Sequence, residues 1–227
     1  MAKNNRNRVP ENYQQKLKNF SARTKNQQTL IDLIKSKEVV IVSGSSGVGK
    51  TYVTLATALQ LLEEGYKHIV LVKSVTSIPG ESIGFMPGDM EEKMSHFIMS
   101  YSWNLDKLCG KGTFEDLLGK NIIQILPIAF VRGISIDDSI VIIDETQNID
   151  PHTFKTLITR IGTNSKYIFL GDVEQVDRKK VEESCLGRVL DIFKDINYVG
   201  TLEFDDEDCV RNPVIPKILE ELRYYSI

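Results

Sequence analysis

Five short apolar runs recur along the chain, separated by longer segments of mixed character. The runs are VVIVS (39–43), HIVLVK (68–73), IIQILP (122–127), SIVIID (139–144) and KYIFLG (166–171). Continuous apolar runs of this length are typical of strands that are buried on both faces, as in parallel sheets. Because helical segments lie between them, the pattern predicts an α/β fold, a mainly parallel sheet with helices on both faces.

Two of the intervening segments predict helices. TYVTLATALQLLEEG (51–65) repeats its apolar residues at helical spacing and ends at Gly65, which suits a C-terminal cap. PHTFKTLITRIG (151–162) has a proline in its first turn, Asp150 as the candidate N-cap and Gly162 after it. The stretch 74–89 differs from both because it contains two prolines and three glycines, and we predict a shaped loop there.

Size and cysteine content limit the kinds of protein to consider. At 227 residues and 41% hydrophobic content, the chain suits one ordinary globular domain. Three cysteines without a CxxC pair or a histidine cluster favour neither a disulfide framework nor a zinc site. No apolar run approaches the roughly 18 residues of a membrane span, and residues 1–16 lack the apolar stretch of a secretory signal. We therefore expect a cytoplasmic protein without a membrane segment.

Charge is unevenly distributed along the chain. The first 25 residues carry seven basic side chains and one acidic side chain, whereas the whole chain has a formal net charge of -3. A basic segment on an acidic body could attract nucleic acid or pair with an acidic face of a neighbouring subunit, such as EFDDEDC (203–209). The alternative is a solvated, partly disordered tail.

A glycine-rich turn follows the first apolar run and predicts a phosphate-binding loop. The turn GSSGVGKT fits the pattern GxxxxGK[ST], between a predicted strand and a predicted helix. Backbone N–H groups of such a turn surround phosphates, the lysine reaches the β- and γ-phosphates, and the hydroxyl binds Mg²⁺. The predicted nucleotide-binding residues are Gly44, Ser45, Ser46, Gly47, Val48, Gly49, Lys50, Thr51 and the following Tyr52.

Two further predicted strands end in polar residues that suit hydrolysis. SIVIIDETQN places Asp144 to hold Mg²⁺ together with Thr51, and places Glu145 to activate a water molecule. The alternative is that the two acids only cap the next helix. YIFLGDVEQVD places Asp172 and Gln175 at the same sheet edge, where Gln175 could sense the γ-phosphate or orient the water.

From about Thr24 to its C-terminus the chain resembles the PhoH-like ATPases, relatives of the superfamily 1 helicases. The matching segments are KNQQTLIDLI, GESIGFMPGDMEEKM, AFVRG, DETQN, LITRIGTNSK, GDVEQVD and DCVRNPVI. Four positions depart from the family pattern, in which an Arg-Pro pair is usual at Lys73 and Ser74, an alanine at Thr146 and a histidine at Asn212. The resemblance implies a RecA-like P-loop NTPase domain over 24–227, preceded by a basic N-terminal arm over 1–23.

The resemblance also implies roles for single residues and for subunits. Gln27 would read the adenine of ATP, and the family is associated with hexamers. Because the chain has room for only one such domain, we expect a ring in which a neighbouring copy supplies an arginine to each ATP. The candidates for this arginine are Arg160 and Arg211, with Arg132 as a weaker third.

Three functions remain open from the sequence. The first is a Mg²⁺-dependent ATPase that acts on RNA or single-stranded DNA, which the helicase-like motifs imply and the basic arm favours. The second is an ATP-driven switch that binds a protein partner and moves no nucleic acid. The third and weakest is a nucleotide or small-molecule kinase, for which neither an arginine-rich lid nor an acceptor pocket is apparent.

Overall fold

The computed structural model describes residues 9–73, 87–176 and 184–210, together with residues 214, 217, 218, 221, 224 and 225. At residues 12 and 73 and over 87–97 it describes the backbone only. The described residues form one parallel sheet with helices on its two faces. The predicted α/β architecture is therefore confirmed.

Six strands form the sheet in the order β3-β2-β4-β5-β1-β6, and all neighbouring strands are parallel. The strands are β1 Val39–Ser43, β2 His68–Lys73, β3 Ile123–Pro127, β4 Ser139–Ile143, β5 Lys166–Gly171 and β6 Val199–Glu203. All five predicted strands are present, with ends that differ by at most one residue. Because the strands are parallel, their carboxyl ends lie at one edge of the sheet and their amino ends at the other.

Eight α-helices occur in the described part of the chain. They are α1 Glu11–Leu17, α2 Lys25–Ser36, α3 Lys50–Leu61, α4 Pro87–Cys109, α5 Thr113–Gly119, α6 Ile128–Val131, α7 Pro151–Ile158 and α8 Leu186–Phe193. Short 3₁₀ turns cover Leu62–Glu64, Thr146–Asn148 and Asp206–Asp208. Within the described ranges, these helices include none with the length and hydropathy required of a bilayer-spanning segment.

The core consists of two apolar layers, one on each face of the sheet. Alternate residues of β1 show the division, since Val40 and Val42 join one layer and Ile41 joins the other. The first layer contains apolar residues of α1 to α5, and the second contains those of α7 and α8. Burial of apolar side chains on both faces accounts for the continuous apolar runs of the sequence.

The edge strand β6 is the one strand that the sequence did not predict. Its sequence, VGTLE, is a weak strand signal because Gly200 interrupts the apolar run and the strand ends in an exposed glutamate. A Cβ atom at Gly200 would lie 2.9 Å from Cδ2 of Leu33 in α2. The glycine therefore permits close packing of α2 on this strand, and tertiary contact here outweighs local propensity.

Both predicted helices form, and three of their four ends are as expected; the exception is the end of α7, which stops at Ile158 with Thr159 as its C-cap and does not extend to Gly162. Gly65, after the 3₁₀ turn that extends α3, has a left-handed φ of 116°. Asp150 is the N-cap of α7, with a side chain that accepts hydrogen bonds from the N–H groups of His152 and Thr153. Pro151 occupies the first turn, where a missing N–H group costs no helical hydrogen bond.

The helix α4 corrects part of the loop prediction over 74–89. Residues 74–86 lie outside the described residues, but residues 87–89 form the first turn of α4, so the loop prediction was wrong for them. Proline at the first helical position explains this start. Farther along α4, Tyr101, Leu105 and Leu108 are buried at helical spacing, a pattern that our sequence analysis overlooked.

The described part of the basic arm packs on the domain. Residues 9–17 include the helix α1, and Val9 and Leu17 are buried in the first apolar layer. The Lys16 ammonium group donates a hydrogen bond to the Cys109 carbonyl at 2.7 Å, and the Tyr13 hydroxyl donates one to Asp116 at 3.1 Å. The alternative of a solvated tail is therefore wrong for this segment, although the boundary at residue 23 stays a prediction.

Candidate nucleotide-binding site

A cleft of about 720 Å³ opens at the carboxyl edge of the sheet, where β1, β4 and β5 end. Most of the predicted site residues line it together: Gln27, Ser46, Gly47, Gly49, Lys50, Thr51, Tyr52, Asp144, Glu145 and Gln175. Residues from the turn after β1, the turn after β4 and the turn after β5 thus meet in one place. This arrangement follows from the parallel topology, which gathers polar strand ends at a single edge.

The glycine-rich turn joins β1 to α3 and has the backbone that phosphate binding requires. Gly47 and Gly49 have left-handed φ angles of 99° and 90°, which explains glycine at these two positions. The Lys50 ammonium group lies over the turn and donates hydrogen bonds to the carbonyls of Gly44 and Ser45, the latter at 3.1 Å. Val48 contributes through burial, because its side chain is fully buried beneath the turn.

Neighbouring segments hold this turn from two sides. The Gln27 side chain in α2 donates a hydrogen bond from Nε2 to the Val48 carbonyl at 2.9 Å, and its Oε1 accepts one from the Arg23 N–H group. On the other side, the Val210 N–H group donates to the Gly47 carbonyl at 3.3 Å. Gln27 was expected to read adenine; the structure shows it in the cleft wall, supporting the backbone of the turn.

Thr51 and Asp144 form a pair suited to Mg²⁺. The Thr51 hydroxyl donates a hydrogen bond to Oδ2 of Asp144 at 3.1 Å, and the Tyr101 hydroxyl of α4 approaches the same oxygen at 3.3 Å. Burial raises the pKa of Asp144, while hydrogen bonds from the Glu145 N–H, Thr51 and Tyr101 and the charge of Lys50 act to lower it. One hydroxyl and one carboxylate are hard oxygen ligands of the kind that Mg²⁺ takes beside phosphates.

Glu145 occupies the first position of the turn after β4. Its φ angle of 57° is left-handed, which is uncommon for a residue with a side chain. Desolvation in the cleft raises the pKa of the Glu145 carboxyl, and the neighbouring charge of Asp144 raises it further. The Gln147 side chain donates a hydrogen bond from Nε2 to Oε2 of Glu145 at 2.6 Å. The carboxylate is thus held by a second side chain of the same turn.

The turn after β5 brings Gln175 to the cleft. Asp172 is buried and organises this turn, since its Oδ1 accepts a hydrogen bond from the Glu174 N–H group and its carbonyl accepts one from the Gln175 N–H group. Gln175 itself is exposed and lines the cleft. Gln175 therefore lines the same cleft as Glu145 and Lys50, and its contact with a γ-phosphate stays a prediction.

The model of the family described as PhoH-like protein matches residues 19–223 of the chain. The chain belongs to the PhoH-like protein family. A PhoH-like protein of Bacillus subtilis is 36% identical over 204 residues, which cover 89% of this chain and 64% of the relative. Protein PhoH of Escherichia coli K12 is 31% identical over 201 residues, covering 87% of this chain and 56% of the relative. The chain thus spans about three fifths of the length of these two relatives.

Solved structures support the fold class of this PhoH-like domain. A large terminase from a thermophilic bacteriophage has a TM-score of 0.55 at 12% identity, over 88% of this chain and 50% of the terminase. The same terminase in complex with ADP has a TM-score of 0.51 at 11% identity, over 88% of this chain and 50% of the terminase. At this identity the similarity concerns the fold, which is that of the RecA-like P-loop NTPases, as the sequence predicted.

Neither Arg160 nor Arg132, the two candidate arginines that the structure describes, joins the other site residues. Arg160 lies at the opposite, amino edge of the sheet, because its carbonyl accepts hydrogen bonds from the Ile136 N–H group and from the hydroxyl of Tyr167, near the start of β5. Arg132 is exposed after α6 and does not line the cleft. Arg211 lies outside the described residues, and so do residues 80–86 of the family segment that contains Gly84.

Several cleft residues were missed by the sequence analysis. They are Ser21, Arg23, Ser100, Trp103, Asn104, Lys107, Gln147, Gly171 and Val210. Four of them lie on α4 at positions 100, 103, 104 and 107, which is the spacing of one helical face and could have revealed them. Trp103 is 69% exposed, and the Lys107 ammonium group lies 4.9 Å from the centre of its ring.

Proposed function

We propose that this PhoH-like protein binds ATP with Mg²⁺ in the cleft and hydrolyses the γ-phosphate. The observation that carries this proposal is the convergence of Lys50, the Thr51–Asp144 pair and Glu145 in one cleft. These residues supply a phosphate-binding cation, oxygen ligands for Mg²⁺ and a carboxylate base, the parts that phosphoryl transfer to water requires. The PhoH-like family assignment and the RecA-like fold support it.

Each of these side chains has a task in the proposed reaction. The turn 44–49 and Lys50 hold the β- and γ-phosphates, while the start of α3 directs its dipole toward them. Thr51 and Asp144 would hold Mg²⁺, which when bound offsets negative charge on the phosphates. Glu145 accepts a proton from the attacking water, and Gln175 orients that water or contacts the γ-phosphate.

The assignment can be tested with the protein's own tryptophan. Trp103 is the one tryptophan of the chain and lines the cleft, so nucleotide binding is expected to change its fluorescence. Titration with ATP in the presence and absence of Mg²⁺ measures affinity, and phosphate release measures hydrolysis. Saturable binding followed by phosphate release supports the proposal. A folded protein that shows neither binding nor release contradicts it.

We further propose that hydrolysis is coupled to RNA or single-stranded DNA. The basic residues of the first 25 positions support this coupling, since neutralising backbone phosphates is the main source of affinity for nucleic acid. Stimulation of phosphate release by single-stranded RNA or DNA, weakened by added salt, is the expected result. Release that no nucleic acid changes would instead favour the alternative, an ATP-driven switch that binds a protein partner.

A ring of subunits, most simply a hexamer, completes the proposal. Among the described residues, Arg23 is the only arginine that lines the cleft, while Arg160 lies at the other edge of the sheet. A neighbouring copy could therefore bring Arg160 or Arg211 to each ATP and stabilise the charge that develops in the transition state. The PhoH-like resemblance supplies the number six.

Mixed oligomers test the ring. Glu145→Gln subunits and Arg160→Ala or Arg211→Ala subunits, each inactive alone, are combined. If the arginine acts across the interface, some mixed sites contain both intact groups and phosphate release returns. Mixtures that stay inactive for both arginines, or a monomer that hydrolyses ATP at the full rate, contradict the ring.

A reducing compartment such as the cytoplasm is also part of the proposal. Cys109, Cys185 and Cys209 are all free thiols in the structure. Burial raises the pKa of Cys109 and of Cys185 to about 11 each, so neither thiol is readily ionised and reactive. This supports a protein whose cysteines serve packing, as is usual for cytoplasmic proteins.

A further inference from the structure

Gln147 has an unusual position between two strand ends. It lies two residues after Glu145 in the turn that follows β4, and only 2% of its surface is exposed. Its Nε2 donates a hydrogen bond to Oε2 of Glu145 at 2.6 Å, and its Oε1 accepts one from the Asp172 N–H group at 3.1 Å. A single buried amide therefore joins the turn after β4 to the turn after β5.

The hydrogen bond from Gln147 restricts the conformations that the Glu145 side chain can adopt. Glu145 is exposed at the cleft, and its backbone is left-handed, with a φ angle of 57°. A glutamate side chain in such a place has several accessible rotamers, and restricting them requires a partner. Gln147 is well suited as that partner because its own side chain is buried and both atoms of its amide are hydrogen-bonded.

The bond to Asp172 extends the connection to Gln175. Asp172 accepts backbone hydrogen bonds from Glu174 and Gln175, so its position sets the turn that carries Gln175. Gly171 makes room for the amide, since a Cβ atom there would lie 2.8 Å from Oε1 of Gln147. The two side chains proposed to face the attacking water are thus connected through one glutamine.

We propose that Gln147 is a positioning residue. It holds the Glu145 carboxylate against the attacking water and fixes the position of this carboxylate relative to the turn that carries Gln175. This inference rests on the proposed ATP hydrolysis and assigns a role to a residue outside the phosphate, metal and base positions. An alternative role is purely structural, in which the amide only satisfies the Asp172 N–H group and fills space.

Three substitutions separate these roles. Gln147→Ala removes both hydrogen bonds, and Gln147→Met keeps the volume without either bond. Gln147→Glu keeps the acceptor for the Asp172 N–H group but cannot donate to Glu145 when ionised. We expect all three to lower kcat by about tenfold or more, while the ATP dissociation constant, measured by Trp103 fluorescence, changes less than about twofold. Asn148→Ala, which removes the neighbouring amide of the same turn, is the matched control and should leave kcat unchanged.

The decisive measurement repeats the substitutions in the Glu145→Gln protein. A residue that acts through Glu145 has nothing left to position there, so single-turnover hydrolysis should fall by less than about twofold further. A full additional loss in that background would overturn the proposal, because Gln147 would then act independently of Glu145. Wild-type kcat in Gln147→Met or Gln147→Glu would overturn it as well.

Thermal unfolding of the same variants completes the separation. Loss of kcat in a variant whose melting temperature equals that of the wild type supports positioning, whereas kcat values that follow melting temperature support the structural role and overturn the proposal. A different result would contradict the proposed function. If the wild-type protein binds ATP without hydrolysing it, the proposed hydrolysis is wrong. If the wild-type protein hydrolyses ATP and the Gln147 variants have the same kcat, only the proposed role of Gln147 is wrong.

Discussion

The two edges of the sheet place their polar side chains in different surroundings. At the amino edge, these groups bond to the chain itself: the Lys166 ammonium group donates to two backbone carbonyls, and the Asp137 carboxylate accepts the Thr163 N–H group. At the carboxyl edge, Lys50, Asp144 and Glu145 also have protein partners, but they border an open cleft. Polar content alone therefore does not mark a functional edge. What distinguishes it is convergence on a space that a ligand can enter.

The largest effect should come from the cation of the cleft. Lys50→Ala removes the ammonium group over the glycine-rich turn, and we expect ATP affinity to fall by about 100-fold or more while the fold is retained. Trp103 fluorescence measures the affinity, and circular dichroism checks the fold. Unchanged affinity in a folded variant would disprove the phosphate-binding assignment of this turn.

The second-largest effect should come from Glu145, and it separates ATP binding from ATP hydrolysis. Glu145→Gln keeps the side-chain volume but removes the base, so phosphate release should fall by about 100-fold while ATP still binds. Glu203→Gln, at the carboxyl end of β6 and outside the cleft, is the control and should hydrolyse ATP normally. If instead Glu145→Gln loses binding and keeps its turnover per bound ATP, Glu145 has a structural role.

A matched pair of glycine substitutions compares the edges directly. Gly171→Ala at the carboxyl edge would crowd Gln147 and Leu186, and Gly162→Ala at the amino edge would crowd Asp137 and Ile136. Both should cost about 1–3 kcal/mol of folding free energy, because little room exists for the added methyl group. Only Gly171→Ala should also lower kcat per folded molecule. Equal kcat losses for both would show that the edges are not functionally distinct.

The smallest effect concerns a surface pair at the amino edge. Lys67 and Asp138 form an ion pair at 2.6 Å, with side chains 57% and 34% exposed. Lys67→Ala should leave the free energy of unfolding almost unchanged, since solvent and salt weaken such pairs. ATP affinity and hydrolysis should not change. Any loss of ATP affinity would show that charge at the amino edge reaches the cleft.

The sequence predicted the central strands because burial on both faces leaves a direct trace, a continuous apolar run. The sequence did not predict β6, because Gly200 interrupts the apolar run and part of this edge strand is exposed. It also did not predict α4, because the buried residues among the described side chains of this helix begin only at Tyr101. In both cases tertiary packing outweighs a weak local pattern.

The site was predictable where a motif directly follows a strand. Lys50, Thr51, Asp144 and Gln175 could be placed together because the ends of parallel strands converge. Tyr101 could not be placed there, because its hydroxyl contacts Asp144 from a helix that is distant in sequence. The position of Arg160 could have been deduced, because a helix that connects two parallel strands runs back to their amino ends.

Residues that are far from the glycine-rich turn in the chain contact it and support it. The Val210 N–H group bonds to Gly47, Phe204 packs against Gly44, and Asp208 accepts a hydrogen bond from Asn26 in α2. By thermodynamic linkage, nucleotide binding should stabilise the ordered conformation of residues 204–210, and that conformation should strengthen nucleotide binding by the same free energy. We expect ATP to slow amide hydrogen exchange at Val210, and a truncation of the Phe204 ring to weaken ATP binding without touching the nucleotide.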